Sequence, residues 1–181
     1  MELISRIVYE YTIRDINSTD HKEIDLVVRR AMETVLETIP EFAGNPDLAL
    51  RIWPNFTFDQ MKAMFIEGYN HPNHRTLLVI EHQSNQIAGH AICSVKLDDD
   101  GVKYGFCYSR FIHPHYRNRG MASALLEEQE KWWKDQGVHY ILAQTHETNF
   151  KLKQLFEKHG FKSTGPIYGS HYDYYVLKKD L

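Results

Sequence analysis

Apolar side chains recur along this chain with two different periods, one typical of strands and one typical of helices. Residues 7–14 alternate apolar or aromatic with polar side chains, which predicts a first strand. Over residues 24–39 the apolar side chains return at helical spacing, which predicts an amphipathic helix. Asp20 and Glu23 form a plausible capping pair for this helix, and Pro40 ends it.

The next segment, residues 41–56, is interrupted by Pro46 and Pro54 and contains several aromatic side chains. Its composition predicts an ordered loop, which is a candidate lid over a binding site. A second helix is expected over residues 58–67, and the His-Pro-Asn sequence at 71–73 then breaks the chain.

Three strands are predicted next, over residues 76–81, 87–96 and 102–112. The last two form a hairpin closed by the Asp-Asp-Asp-Gly sequence at 98–101, and a turn centred there pairs Cys93 with Cys107. Two cysteines inside strands do not make a disulfide framework. We therefore expect buried free thiols and a cytoplasmic location.

The last third of the chain predicts a helix from Met121 to about Gly137, a strand over 139–145, a helix over 149–159, and strands over 161–164 and 172–178. This order indicates a mixed α/β fold, α+β-like in its antiparallel part. We expect a central mixed sheet of six to seven strands flanked by about four helices.

Composition narrows the class of protein further. A length of 181 residues favours a single domain over residues 1–181. No apolar run approaches the ~20 residues of a membrane span, and the N-terminus lacks the apolar core of a signal peptide. The net charge is -3 and no block of five like charges occurs, so we expect neither nucleic acid nor a membrane surface as a partner.

One segment carries most of the functional information. A strand-like run ends at Pro114, and a tight turn follows in which Arg117 and Arg119 supply charge and Gly120 removes side-chain bulk. A helix then begins at Met121, and its first N–H groups lack internal partners. Such a turn predicts a phosphate-binding site at the start of the helix.

Two motifs resemble the GNAT superfamily of acyl-CoA-dependent N-acyltransferases. Residues 112–116 read Ile-His-Pro-His-Tyr and residues 117–122 read Arg-Asn-Arg-Gly-Met-Ala, as in that family's hydrophobic-x-Pro-x-aromatic and Arg-x-x-Gly-x-Ala motifs. About thirty residues later come Asn149, the Leu-Phe-Glu-Lys sequence at 155–158 and Gly-Phe at 160–161. The resemblance covers the chain from Thr76 to the C-terminus and implies a GNAT-type fold.

The resemblance also implies which residues bind acetyl-CoA. They are Phe111, Ile112, Arg117, Asn118, Arg119, Gly120, Met121, Ala122, Ser123 and Asn149. Backbone N–H groups of the turn would hold the pyrophosphate, and a Cβ at Gly120 would crowd it. The pantetheine would lie between the fourth and fifth strands, where one strand N–H polarises the thioester carbonyl.

The catalytic residues are less clear from the sequence. The family's frequent general acid is a tyrosine that corresponds to Phe156 here, and phenylalanine cannot donate a proton. Water or another group would then protonate the thiolate. Tyr108 and Glu147 are the candidates for deprotonating the acceptor amine, and His146 and His113 are alternatives.

Other chemistry-bearing residues have simpler interpretations. His71 with His74 and His113 with His115 lack the further ligands of a zinc site, so we expect no metal. The tyrosines at 168, 172, 174 and 175 fit either the core or an acceptor pocket. Glu33, Glu37 and Glu41 fit either a solvated helix face or a site for a cationic amine.

These residues predict an N-acetyltransferase that transfers an acetyl group from acetyl-CoA to a primary amine by direct attack in a ternary complex. A small-molecule amine is favoured over a protein lysine or N-terminus. A non-catalytic acyl-CoA-binding module is the alternative from another class, because the acid tyrosine is missing. The resemblance also allows a homodimer, since relatives are often dimers.

Overall fold

Seven strands form one mixed sheet in the computed structural model of the protein, which describes residues 10–43, 45–69, 71–168 and 173–181. The strands are β1 (Tyr11–Asp15), β2 (His74–Glu81), β3 (Gln86–Leu97), β4 (Lys103–Ile112), β5 (Tyr140–His146), β6 (Lys162–Tyr168) and β7 (Asp173–Asp180). The helices are α1 (His21–Thr38), α2 (Pro46–Ile52), α3 (Phe58–Tyr69), α4 (Met121–Asp135) and α5 (Phe150–Lys158). The predicted mixed α/β class is confirmed.

The strands lie in the order β1-β2-β3-β4-β5-β7-β6, and every neighbouring pair is antiparallel except β4 and β5. Residues 7–9 of the predicted first strand and Tyr172 of the predicted last strand lie outside the described residues. β6 is longer than the predicted strand over 161–164.

The expectation of about four helices misses α2, which lies inside the segment predicted to be a loop. This short helix begins at Pro46, has Asp47 in its first turn and has Arg51 in its last, as helix ends favour. Proline at the first helical position is compatible with a helix, whereas a proline-rich segment alone predicts a loop. The segment between α1 and α3 is therefore partly helical.

The start of α1 differs in one contact from the predicted capping pair. The Asp20 carboxylate caps the helix by accepting from the N–H groups of Lys22 (2.9 Å) and Glu23 (3.3 Å). The Glu23 carboxylate does not return to Asp20; it accepts from the Asn17 N–H at 3.0 Å and pairs with Arg14. Glu23 therefore does not form the second contact of the predicted capping pair and instead binds residues at and just after the end of β1.

Hydrophobic side chains cover both faces of the sheet. On one face, Trp133 of α4 and Phe156 of α5 pack with Leu177 of β7 and are buried. On the other face, Val27 and Val28 of α1 pack with Leu78 of β2 and with α3. The sheet therefore separates an α4/α5 side from an α1/α3 side, and a ligand that crosses the sheet would touch both.

The hairpin of β3 and β4 has the predicted register near its turn. Cys93 lies opposite Cys107, and both are free thiols. Further along, the register shifts so that Ile92 lies opposite Ser109, and Tyr108 is the extra residue of a β-bulge. This bulge changes which side chains of β4 share a face, with consequences for the site.

Candidate functional site

A gap opens in the sheet where β4 and β5 separate. These parallel strands pair only between residues 104–107 and 140–143. Beyond that, β4 continues to Ile112 along β3, and β5 continues to His146 along β7. Because each strand keeps a partner on one side only, backbone groups of β4 beyond Cys107 point into the gap without a β5 partner.

A cleft of about 1450 Å³ passes through this gap. On the α4/α5 side it is lined by the turn before α4 and by Asn149 and Leu152 of the α5 region. On the α1/α3 side it is lined by apolar side chains of those helices and of the segment between them. One continuous cleft thus connects the two faces of the sheet.

The turn at the start of α4 is shaped to receive an anion. Asn118 and Gly120 both have positive φ, at 62° and 78°. Gly120 is the N-cap, and the N–H groups of Met121, Ala122 and Ser123 have no acceptor among the described residues. A Cβ at Gly120 would meet only the Tyr11 hydroxyl, at 4.0 Å. The turn therefore leaves open space in front of three N–H donors, which fits a phosphate.

The two arginines of the turn are held by backbone oxygens. Arg117 donates from Nε to the Ile112 carbonyl at 2.9 Å, and Arg119 donates to the His115 carbonyl at 3.0 Å and lies over the Tyr116 ring. These contacts fold the turn back on the end of β4.

The predicted cofactor contacts are largely brought together. The following line the cleft: Phe111, Ile112, Arg117, Asn118, Gly120, Met121, Ala122, Ser123 and Asn149. Arg119 does not line it. The Asn149 side chain also caps α5, because its carbonyl oxygen accepts from the Leu152 N–H at 3.3 Å.

The bulge places Tyr108 and Arg110 on opposite faces of β4, where simple alternation would put both side chains on the same face. Tyr108 contacts Ser94 and His74, and Ser109 contacts His90, so both lie on the α1/α3 side. Arg110 lies on the opposite side, where it donates to the carbonyl of Ala122. A bulge places two successive side chains on one face, which simple alternation of the strand does not anticipate.

Tyr108 lines the cleft beside His74, which lies before the predicted strand over 76–81 and is the first residue of β2. The His74 ring stacks on Tyr108 with 5.9 Å between ring centroids, and both line the cleft. Burial, followed by the charges of His71 and Lys96, lowers the pKa of His74. His74 is therefore a neutral imidazole at neutral pH. Its position beside Tyr108 is evident only from the fold, since nothing in the sequence places His74 next to β4.

Glu147 and His146, at the end of β5, have different positions. Glu147 is exposed and does not line the cleft, whereas His146 is buried and does. The Nδ1 of His146 accepts from the Thr148 N–H at 3.2 Å, which leaves the proton on Nε2, 3.5 Å from Glu41. His146 thus ties the segment after α1 to β5. His113, the other alternative, is exposed outside the cleft.

Phe156 is buried rather than at the cleft surface. Its ring packs on Phe161 at 4.8 Å between centroids and is 1% exposed. The guanidinium of Arg110 lies 5.6 Å from the Phe156 ring centroid, and Arg110 lines the cleft. The sequence does not single out Arg110, because an arginine in the middle of a strand is typical of a solvent-facing position.

Charge is divided between the two sides of the cleft. Arg110, Arg117, Lys151 and Lys158 line its α4/α5 side. Glu37 of α1 is the one carboxylate among the described residues that lines it. Lys151 and Lys158 were also missed, although their seven-residue spacing puts them on one side of α5.

The other candidate features give a mixed result. Tyr174 lines the cleft, and Tyr175 lies under Lys153; Tyr172 and the side chain of Tyr168 lie outside the described residues.

The described residues contain no group of three or more metal-ligating side chains. They also include no helix long and apolar enough to cross a membrane.

Comparison with known families identifies the class of protein. Residues 45–161 match the model of the acetyltransferase (GNAT) family. The chain belongs to this family and is an acyltransferase; the family uses acetyl-CoA as its acyl donor. A search of curated protein sequences found no match.

Solved structures share the fold over nearly the whole chain. A GNAT acetyltransferase from Streptococcus pneumoniae is 23% identical with a TM-score of 0.68, and the match covers 95% of this chain and 100% of that one. PaiA N-acetyltransferase from Thermoplasma acidophilum in complex with coenzyme A is 16% identical with a TM-score of 0.70, covering 95% and 99%. A ribosomal-protein-alanine N-acetyltransferase from Brucella melitensis is 18% identical with a TM-score of 0.69, covering 94% and 99%.

Proposed function

We propose that this protein transfers the acetyl group of acetyl-CoA to a primary amine on a small molecule, by direct attack in a ternary complex. The observation that carries the proposal is the division of one cleft into a cationic, N–H-lined side and an apolar side, on which the described residues place a single carboxylate. The donor and the acceptor would enter from opposite faces of the sheet and meet in the gap between β4 and β5.

The donor side offers the groups that acetyl-CoA requires. The N–H groups of Met121 to Ser123 would bind the pyrophosphate, with the partial positive charge of the helix start. Arg117, Lys151 and Lys158 would add charge along the same side. The unpaired backbone of β4 near Phe111 and Ile112 would pair with the pantetheine amides, and Asn149 would contact it.

The acceptor side favours an amine with one positive charge and an apolar body. Its walls are mainly aliphatic, aromatic and methionine side chains: Val28, Val35, Trp53, Phe56, Met61 and Phe65. Glu37 is the one carboxylate that lines the cleft in the described part of the chain. A polyamine or an aminoglycoside would leave several ammonium groups without partners here, whereas an apolar monoamine would match both features.

The amine must lose a proton before it attacks. His74, neutral at neutral pH, and the adjacent Tyr108 hydroxyl line the acceptor side, so water held by them would carry this proton to solvent. Glu147 would contribute only through solvent from its exposed position. The amine nitrogen then bonds to the thioester carbonyl carbon, the carbon–sulfur bond breaks, and CoA leaves as its thiolate.

Release of CoA thiol over a panel of amines tests the proposal. The panel contains 2-phenylethylamine, spermidine, an aminoglycoside and a lysine peptide. We expect the highest kcat/KM with 2-phenylethylamine, and we expect Glu37→Gln to lower it by about tenfold, or ~1.4 kcal/mol. Glu33→Gln is the matched control, because Glu33 lies one turn earlier on α1 and outside the cleft.

Other outcomes would redirect the assignment. Preference for spermidine would contradict the apolar monoamine, and preference for the peptide would identify a protein acetyltransferase. Binding of acetyl-CoA without thiol release from any amine would identify the non-catalytic module that the buried Phe156 favours.

A further inference from the structure

Arg110 is half-buried in the wall of the cleft, and its positive charge has no negative partner among the described residues. It lies on β4, three residues beyond the last β4–β5 pair. Its two terminal nitrogens donate to neutral oxygens, the Ala122 carbonyl at 2.8 Å and the Gln129 side chain. Its Nε is buried and has no hydrogen-bond partner among the described residues.

The nearest carboxylate does not neutralise this charge. Glu130 is the neighbouring acidic side chain on α4, and both of its oxygens accept from Lys179 at 2.7 Å. No carboxylate in the described part of the chain forms an ion pair with Arg110. A guanidinium stays charged at neutral pH, and buried charges in folded proteins are normally paired. A negative charge supplied by a ligand would complete this arrangement.

The position of Arg110 indicates where that negative charge develops. Its guanidinium lies over the ring of Phe156, the residue at the position of the family's acid tyrosine. Arg110 also lines the cleft beside the gap. Burial raises the pKa of the neighbouring Cys107 to about 11, although the charge of Arg110 and its hydrogen bond to this thiol act to lower it. A charge in such surroundings interacts more strongly than one in water.

We propose that the Arg110 guanidinium stabilises the negative charge on the CoA sulfur as the thioester breaks, replacing the missing tyrosine by charge rather than by proton donation. This inference rests on the proposed function. The electron pair of the carbon–sulfur bond goes to sulfur, the amine proton goes to water, and the thiolate takes a proton from water when it leaves. Arg110 keeps its own protons throughout.

The pKa of enzyme-bound CoA thiol tests this role without turnover. It is measured from the ultraviolet absorbance of the thiolate during a pH titration, with desulfo-CoA, which lacks the thiol, as the blank. Arg110→Gln removes the charge and keeps a donor for Ala122, whereas Arg110→Lys keeps both. We expect Arg110→Gln to raise the pKa of the bound thiol by about one unit or more and Arg110→Lys to raise it less. We expect kcat to fall by about tenfold or more in Arg110→Gln only.

A purely structural role would give a different pattern. Arg110 also supports the turn before α4 through Ala122, so a structural role would weaken desulfo-CoA binding and leave the thiol pKa unchanged. An unchanged thiol pKa in Arg110→Gln would overturn the inference while thiol release by the wild type still supported the proposed function. If Arg110→Gln does not fold, the comparison of wild type with Arg110→Lys decides, because a longer charge-to-sulfur distance must still raise the pKa. Failure of the wild type to bind CoA would overturn both proposals.

Discussion

Gly120 combines two properties at one residue, a left-handed backbone and open space in front of the first N–H groups of α4. The backbone requirement alone would make any side chain there unfavourable, by about 1 kcal/mol. The open space matters only when a ligand fills it. The two effects can be separated, because Gly137, just beyond the other end of the same helix, has φ of 70° and a Cβ added there would have no atom within 4 Å.

Gly120→Ala and Gly137→Ala are therefore expected to destabilise the protein similarly, by about 1 kcal/mol each. Only Gly120→Ala should weaken acetyl-CoA binding, by about tenfold or more, because its Cβ enters the space of the pyrophosphate. Urea unfolding gives the first quantity and calorimetric titration gives the second. Equal acetyl-CoA affinity in the two variants would remove the turn from the cofactor site.

Some residues of the candidate site could be predicted from the sequence and others could not. The turn at 117–123 could be predicted because glycine, arginines and a helix start are adjacent in the chain. The roles of His74 and Arg110 could not, because each depends on the position of a distant element, β4 for His74 and α4 for Arg110.

Among the elements, α4 holds the site in place by packing on the sheet at one crowded point. The Trp133 ring lies against Gly105 of β4, and its indole N–H donates to the Ser94 carbonyl of β3 at 2.9 Å. A Cβ at Gly105 would be 2.7 Å from the ring, which is fully buried and cannot move away. This contact fixes α4 over β3 and β4, and β4 borders the gap in the sheet.

Gly105→Ala should lower the free energy of unfolding by about 1–3 kcal/mol through overpacking. Combining it with Trp133→Phe, which shortens the ring system, should give less destabilisation than the sum of the two single changes. A double-mutant cycle from urea unfolding measures this coupling. Strict additivity would mean that Gly105 and Trp133 do not constrain each other.

The elements themselves were largely predictable, with two instructive exceptions. Long periodic segments such as α1 and α4 follow directly from their apolar spacing. The bulge at Tyr108 does not, because the extra residue is fixed by pairing with β3 and by the separation of β5. The short helix α2 was not predicted, because the prolines and aromatic residues around it are also typical of a loop.

For the whole molecule, His90 couples stability to pH. It is fully buried in β3 with its Nε2 3.0 Å from the Ser109 hydroxyl. Burial, followed by the charges of Arg30 and Arg110, lowers its pKa to about 3. Between pH 6.5 and 3 the unfolded chain binds a proton at this histidine and the folded protein does not, so stability falls as the pH falls through this range.

His90→Gln keeps a hydrogen-bonding side chain for Ser109 and removes the titration. The loss of stability between about pH 7 and pH 4 should therefore be smaller in the variant, by on the order of 3 kcal/mol. Urea unfolding at several pH values measures the difference, with the exposed His21→Gln as control. Parallel pH profiles for wild type and His90→Gln would show that folding does not lower the pKa of His90.

Amide hydrogen exchange of the full chain with and without acetyl-CoA tests the central claim, that the donor lies in the gap between β4 and β5 against the start of α4. The N–H groups of Met121 to Ser123 have no acceptor among the described residues, so they should exchange fast in the free protein. Saturating acetyl-CoA should slow exchange in peptides covering 108–112 and 117–125. Unchanged exchange in both segments, or protection confined to other parts of the chain, would contradict the proposed site.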